Sequence, residues 1–496
     1  MSDPGPGPAE DGPAVGGTSA HGPAAGTPGA GTPAVDGSGR SAAGPGRSGA
    51  GPADRSTTAA PDGHPATVPF SAFMADALYG DAGFYETGGR AGRRGDFVTS
   101  PEVGPLFGAV LARTLDAWWD DLGRPDPFLV DEHGAGPGTL ARTLLVAAPR
   151  CAPALRLTLV ERTASQRARH TAHLPHVADP DLDPRWTTGG AGPLVTSVEA
   201  APGRPAHVIV ANELLDNLPF DRFERTADGW DELRVDLGPD PRRGGPDASR
   251  SASVPGSSAS ARATGSAGQD GSIGAGRATE PAERRGAGGA TEPADARGSA
   301  PTGLADGRGA AGTAGLAGPR EVLIPAGGED AADLRRLVPD APAGARVPLQ
   351  REASTWVNDR LADLVPGGRL LVLDYGVATT AELSVRPESE WLRTYSGQDR
   401  SGPPLDLPGS RDITAEVCLD QLAALAGPPT SDESQADWLR RWGIDELVAE
   451  GRASWEAGGP PLDVTTLRLR SRIAEAEVLL DPAGLGTFRV WEWRRR

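Results

Sequence analysis

Val130-Asp-Glu-His-Gly-Ala-Gly-Pro-Gly-Thr-Leu140 is the stretch on which the fold turns. The apolar run Phe128-Leu-Val that leads into it reads as a buried strand. Thr139-Leu-Ala-Arg-Thr-Leu-Leu-Val-Ala-Ala reads as a helix stopped by Pro149. Between them Gly134, Gly136 and Gly138 stand at alternate positions, where a missing Cβ lets the backbone approach a ligand. The next apolar run, Leu157-Thr-Leu-Val-Glu161, ends in an acid that can accept hydrogen bonds from both hydroxyls of a ribose. Strand, glycine turn, helix, strand and acid together describe a nucleoside pocket.

The spacing narrows the nucleoside. A dinucleotide fingerprint is G-x-G-x-x-G, with a pyrophosphate on the helix N-terminus. Here the turn is G-x-G-x-G, with Glu132 in front of it and Pro137 inside it. A carboxylate at that point repels a pyrophosphate but suits a cation such as S-adenosylmethionine. The turn therefore favours a methyltransferase over a nicotinamide or flavin enzyme. The bland alternative is an ordinary turn in a chain with 68 glycines among 496 residues. A nicotinamide oxidoreductase would also lack a Tyr-Lys proton donor, because the chain contains no lysine. That absence excludes a P-loop and a lysine Schiff base as well.

Outside this stretch much of the chain is not domain-like. With 48 prolines and only 38% hydrophobic residues, the composition predicts large unfolded tracts. Residues 1–66 and 239–319 cannot bury enough apolar surface to offset the entropy of ordering them. The expectation is a disordered tail, a methyltransferase domain made of 67–238 and 320–496, and a disordered insertion at 239–319. The tail has neither the basic n-region and apolar core of a signal peptide nor the look of a mitochondrial presequence. A net charge of −18 and the lack of a basic, aromatic-interleaved stripe argue against nucleic-acid binding. Two distant cysteines, Cys151 and Cys418, point to a reducing compartment. No apolar run is long enough for a membrane span. The expected location is cytoplasmic, and nothing in the sequence fixes an oligomeric state.

Helix periodicity appears over Pro69–Leu78 and, with Leu106, Phe107, Val110, Leu111, Leu115 and Trp118 on one face, over Val103–Leu122. Candidate strands are Phe128–Asp131, Leu155–Val160, His207–Ala211 and Arg369–Asp374, with a helix over Glu352–Leu364. This succession predicts an α/β, doubly wound, Rossmann-like sheet with N-terminal and C-terminal helical additions. Glu232–Leu237 and Glu321–Ile324 read as strands split by the insertion. Three amphipathic helices and an edge strand over Gly486–Trp493 complete the tail.

Val208-Ile-Val-Ala-Asn-Glu-Leu-Leu-Asp-Asn-Leu-Pro-Phe220 is the second chemical signal. In an open α/β sheet, groups beyond the carboxyl ends of strands face the ligand crevice. Asn212, Glu213 and Asp216 are thus candidate catalytic residues. Two carboxylates and an amide suit a nitrogen nucleophile, and a guanidinium is a planar fork that pairs bidentately with carboxylates. The structural alternatives are a helix cap for Asn212 and an arginine pair for Asp216. Gly95-Asp-Phe-Val-Thr-Ser-Pro-Glu102 adds Asp96 and Thr99 as cofactor candidates beside Glu132, with Ser100 as a possible N-cap. Asp374 ends another strand, as a turn residue or a shaper of the substrate side, and Arg393-Thr-Tyr395 follows on a loop. The seven histidines show no metal spacing, so no metal is expected.

Together Gly95–Glu102, Glu132–Leu140, Val208–Phe220, Leu371–Gly376 and Arg393–Val417, with Pro408-Gly-Ser-Arg-Asp-Ile-Thr414, resemble the MidA family of S-adenosylmethionine-dependent methyltransferases. That family includes a mitochondrial complex I assembly factor that methylates a protein arginine. The resemblance implies a seven-strand methyltransferase core and a protein substrate with an exposed arginine. It departs from the family at the glycine turn, usually Leu-Gly-Pro-Gly-x-Gly. It departs again after Tyr395, where Ser396 and Gln398 replace a basic residue and a histidine. Those departures leave a second reading, a non-catalytic assembly or binding protein that retains the fold.

Overall fold

Seven strands form the central sheet of the computed structural model, which describes residues 67–87, 99–172, 174–238, 318–397, 399–457 and 464–496. In chain order they are β1 (Phe128–His133), β2 (Leu155–Val160), β3 (Leu194–Val198), β4 (Ala206–Asn212), β5 (Leu364–Asp374), β6 (Ser431–Ser434) and β7 (Arg489–Arg494). Across the sheet they run β6-β7-β5-β4-β1-β2-β3. The neighbours from β5 to β3 are parallel, and β7 is antiparallel to both β5 and β6. Chain order reverses between β1 and β4, so the crevice beyond their carboxyl ends is the topological switch point.

Both faces of this sheet are covered, and the sequence shows why. Successive residues of a strand point to opposite faces. Val208, Val210, Leu371 and Leu373 join one core with the long helix Pro105–Asp121. Ile209, Ala211, Leu370 and Val372 join another with Ala353 and Val357 of helix Arg351–Ala362, and with Trp491 and Trp493. Strands buried on both sides need near-continuous apolar runs rather than alternation, which is what β4 and β5 present.

Several expectations are corrected. The helix expected over Val103–Leu122 is two helices, Ser100–Val103 and Pro105–Asp121. Pro105 lacks an N–H and disfavours helical backbone at the residue before it. The carboxylate of Glu475 fills the gap at Gly104 and accepts from the Leu106 amide at 2.8 Å. The N-cap of the first piece is Thr99, not Ser100, whose hydroxyl donates to Gln435 at 2.7 Å. The closing strand is not an edge: β6 covers it. The C-terminal tail holds four helices among its described residues rather than three.

Arg393–Tyr395 lies in a strand, Leu392–Ser396, of a three-stranded antiparallel sheet rather than on a loop. Four strands between Asp221 and Leu349, joined by Thr67–Val68, form a second antiparallel sheet of five strands. In it Trp230–Asp236 and Arg320–Pro325 pair along their length, with Asp236 opposite Arg320. Residues 239–317, outside the described set like residues 1–66, therefore connect two neighbouring hairpin strands. Helix Phe70–Tyr79 buries Phe70, Phe73, Met74, Ala77 and Leu78 in a separate core with Phe220, Trp391 and Ile413. That core carries the N-terminal helix to the switch point. Among the described residues, no helix is long and apolar enough to cross a membrane.

Candidate active site at the switch point

β1 ends at His133, and the chain turns through Gly134, Gly136 and Gly138 at φ of 67°, 51° and 80°. These left-handed values are costly for any residue with a Cβ. The turn is tied back to β2, with the Gly134 amide donating to the Val160 carbonyl at 2.9 Å. Among the described residues nothing lies within 4 Å of where a Gly136 Cβ would stand, so this point of the turn is open. Glu161 holds it there: one carboxylate oxygen accepts from the Gly136 amide at 2.9 Å, the other from the Thr163 amide at 2.8 Å. From the far side, His170 Nε2 lies 2.8 Å from the Gly136 carbonyl, and its Nδ1 lies 2.8 Å from Ser197 Oγ. The Gly136 peptide groups are thus gripped at N–H and C=O.

Beyond β4 stands Glu213, at φ 52°, a rare conformation for a residue with a side chain. Its amide donates to the Leu373 carbonyl at 2.8 Å, and its carboxylate accepts from Asn212 Nδ2 at 3.1 Å and from the Ser100 amide at 3.3 Å. Asn212 does not cap a helix; the following short turn, Leu215–Asn217, has Leu214 at its cap position. Asp374 anchors that turn, accepting from the amides of Leu215 at 2.8 Å and Leu214 at 3.2 Å. It is a buried structural acid and not a shaper of the substrate side.

A cavity of about 260 Å³ opens between the two strand ends. Of the sequence candidates, Thr99, Glu132, Gly134, Gly136, Asn212, Glu213 and Glu161 line it. Two others do not. Gly138 starts the helix Thr139–Val146 with its α-carbon turned toward His170, Leu174 and Leu159, so it shapes the turn without meeting the cavity. Asp216 is turned by the Leu215–Asn217 turn toward strand Asp412–Ala415, where it accepts from Thr414 Oγ1 at 2.8 Å. That threonine is its side-chain hydrogen-bond partner; the Arg393 charge acts on it, but no ion pair forms among the described residues. Asp96 lies outside the described residues. Pro137 is part of the cavity wall and leaves the space open.

Burial controls the charge of the wall. It raises the Glu132 carboxyl to about 8, with the Glu161 charge adding to the rise. It raises Glu213 to about 8 too, with the Asp216 charge as the next cause. Glu161, Asp216 and Asp374 are likewise shifted upward, burial being the first cause in each. A cation would reverse these shifts by favouring the ionised form. The donor set fits S-adenosylmethionine on one further ground. Asn212 Oδ1, on the wall, is a buried acceptor with no hydrogen-bond partner among the described residues, as a ligand ammonium would require. Among the described residues, no group of three or more His, Cys, Asp or Glu is placed to hold a metal.

Tyr79, Tyr85, Arg162 and Trp356 are among the wall residues that the sequence reading missed. Only tertiary packing of the N-terminal helix brings the two tyrosines to the crevice. Tyr85 donates to Asn217 Oδ1 at 3.1 Å and to Asp412 Oδ1 at 3.0 Å, and Tyr79 to the Asn217 carbonyl at 3.2 Å.

Comparison with known proteins agrees with this geometry. The chain is similar to mitochondrial protein arginine methyltransferases named NDUFAF7 or NDUFAF7 homolog. Identity is 27% to the Drosophila melanogaster protein, 30% to that of Xenopus tropicalis and 28% to that of Homo sapiens. These matches cover 34%, 35% and 35% of this chain and 41%, 44% and 42% of the relatives, so the chain spans less than half the length of each. Among solved structures, a Burkholderia thailandensis protein bound to S-adenosyl-homocysteine superposes with a TM-score of 0.59 at 24% identity, over 87% of this chain and 88% of that one. A second structure from the same organism gives 0.57 at 23%, over 87% of each chain. Both share the fold. Residues 110–430 match the family described as "Putative S-adenosyl-L-methionine-dependent methyltransferase", and the chain belongs to that family.

Proposed function

We propose that the chain, as a class I enzyme, transfers the methyl group of S-adenosylmethionine to an arginine ω-nitrogen of a protein. The carrying observation is Glu213: a carboxylate on the cavity wall, held at φ 52°, with no cationic partner among the described residues. A guanidinium answers that need, since it pairs with a carboxylate through two N–H groups and stays charged. The names of the relatives support an arginine acceptor. The strand order with a reversed β7 supports the class I reading.

The cofactor supplies an electrophilic methyl when bound. The residues of this chain supply position and charge. Glu161 presents its remaining lone pairs to the ribose hydroxyls, while Gly134 and Gly136 let the backbone lie against the ligand. Glu132 and Asn212 Oδ1 meet its cationic amino-acid end, with Thr99 closing the wall. Ionised Glu213 orients the guanidinium for in-line attack, largely a positioning task. It also accepts the proton that the attacking nitrogen gives up. Asp216, one layer behind, acts on Glu213 through its charge. Residues 67–238 and 320–496 form the catalytic domain in this reading, and the N-terminal tail and the 239–319 insertion stand outside it.

The test is methyl transfer from labelled S-adenosylmethionine to peptides that contain arginine or lack it, read by mass spectrometry. Methylarginine is expected with the native chain. Glu213→Gln is expected to lower the rate about a hundredfold or more, the scale of losing one preorganised electrostatic contact, with S-adenosylhomocysteine binding kept. Label on another residue type would overturn the arginine assignment.

A further inference from the structure

Tyr79 ends the N-terminal helix and reaches the cavity between its two acidic sides. The groups that act on its hydroxyl by charge are Arg162, Asp412, Asp216 and Glu161, which places it between the ribose acid and the acids behind Glu213. Its orientation is fixed. The hydroxyl donates to the Asn217 carbonyl at 3.2 Å, and Tyr85 stacks against the ring with centroids 5.5 Å apart and planes at 15°. Tyr85 is itself pinned by Asn217 and Asp412. The pair is thus a rigid aromatic wall in an acidic cavity.

That wall already carries a guanidinium. The Cζ of Arg162 lies 4.1 Å from the Tyr79 ring centroid. The Arg162 side chain is exposed, and among the described residues it makes no ion pair and no side-chain hydrogen bond. The half-buried ring holds it, with the Glu352 charge acting from beyond ion-pair distance, and no paired carboxylate fixes it in place. We propose that the Tyr79 ring is the subsite for the acceptor guanidinium, and that Arg162 fills it in the free enzyme as a displaceable internal surrogate. The proposal rests on the arginine-acceptor reading and deepens it. An incoming arginine gains what Arg162 lacks there, a carboxylate partner in Glu213 across the same cavity. Competition by Arg162 reduces the fraction of enzyme open to the acceptor, and so its apparent affinity.

Calorimetric titration of an arginine-containing peptide into the full chain saturated with S-adenosylhomocysteine tests this without turnover. Arg162→Ala is expected to tighten peptide binding several-fold. Tyr79→Leu is expected to weaken it about tenfold, the upper range for a lost cation–π contact. Tyr79→Phe, which keeps the ring, should stay near the native value, and S-adenosylhomocysteine affinity should be unchanged in all three, which also reports that they fold. Weakened S-adenosylhomocysteine binding in Arg162→Ala would make Arg162 a cofactor contact and overturn the proposal. Unchanged peptide binding in Arg162→Ala, or in a cofactor-competent Tyr79→Leu, would do the same. Peptide binding that follows the expected order without methylation leaves the subsite standing and removes the arginine-transfer reading. Methylarginine formation with KM unaltered by both substitutions does the reverse. No peptide binding by either the native chain or Arg162→Ala overturns both.

Discussion

Glu213 concentrates the chemistry of this protein in one residue, because its left-handed backbone and its raised carboxyl both cost stability. The sign follows from the proton count. Its ordinary value is 4.5 and its value in the fold is about 8. Below 4.5 both folded and unfolded chains hold the proton. Between the two values the folded chain holds it and the unfolded chain does not, so stability falls as pH rises through that window. Glu213→Gln removes this penalty. Thermal unfolding should therefore show the variant more stable than the native chain near pH 8 and nearly equal to it near pH 4.5; the same difference at both pH values would contradict the assignment. Acceptor binding should run the other way, strengthening as pH rises toward 8, because a cation prefers the ionised carboxylate. At the glycine turn, Gly136→Ala meets no neighbour, so its cost is the backbone alone, roughly 1–2 kcal/mol. Gly134→Ala adds an approach of 3.0 Å to Leu214 Cδ1 and should cost more in denaturant unfolding. Glu161 and Glu213 were legible in the sequence because each ends an apolar run. Gly138 and Asp216 were misplaced because spacing does not say which way a turn faces. Tyr79 was invisible as a site residue because its place depends on contacts more than a hundred residues away.

At the scale of elements, apolar residues located β1, β2, β4 and β5, with a continuous signal in β4 and β5, where both faces are buried. β3 and β6 gave little: Leu194–Val198 is short, and Ser431–Ser434 is a polar edge strand. Polar edges are what a sheet needs to avoid pairing with other chains, and they are also what hides a strand from a hydrophobicity reading. The break at Gly104 could have been read from Pro105, since the residue before proline rarely stays helical. Helix Pro105–Asp121 approaches helix Thr139–Val146 so closely at Gly108 that a Cβ would stand 2.6 Å from the Thr143 backbone carbon. Alanine ordinarily improves a helix by about 1 kcal/mol over glycine. Gly108→Ala should instead destabilise by about 1–3 kcal/mol, the usual cost of overpacking. A midpoint in urea unchanged or raised by this substitution would show that the two helices can separate without cost.

For the whole molecule, the doubly wound sheet and its switch point were legible from the order of strands, glycine turn and acids. The five-stranded second sheet was legible only in part: Glu232–Leu237 and Glu321–Ile324 read as strands and lie in Trp230–Asp236 and Arg320–Pro325, while its other three strands are short and gave no pattern of their own. The hairpin register, Asp236 opposite Arg320, yields a direct prediction. Replacing residues 239–317 by a two-residue turn should leave melting temperature and cofactor binding unchanged. Loss of either would place that segment inside the catalytic domain. The central claim, that the crevice beyond β1 and β4 binds S-adenosylmethionine through Glu161, is tested most directly by calorimetric titration of S-adenosylhomocysteine into the native chain and Glu161→Ala. Saturable one-to-one binding by the native chain that disappears in the variant is the predicted result. A folded native chain that does not bind, or a variant that binds equally well, would contradict it.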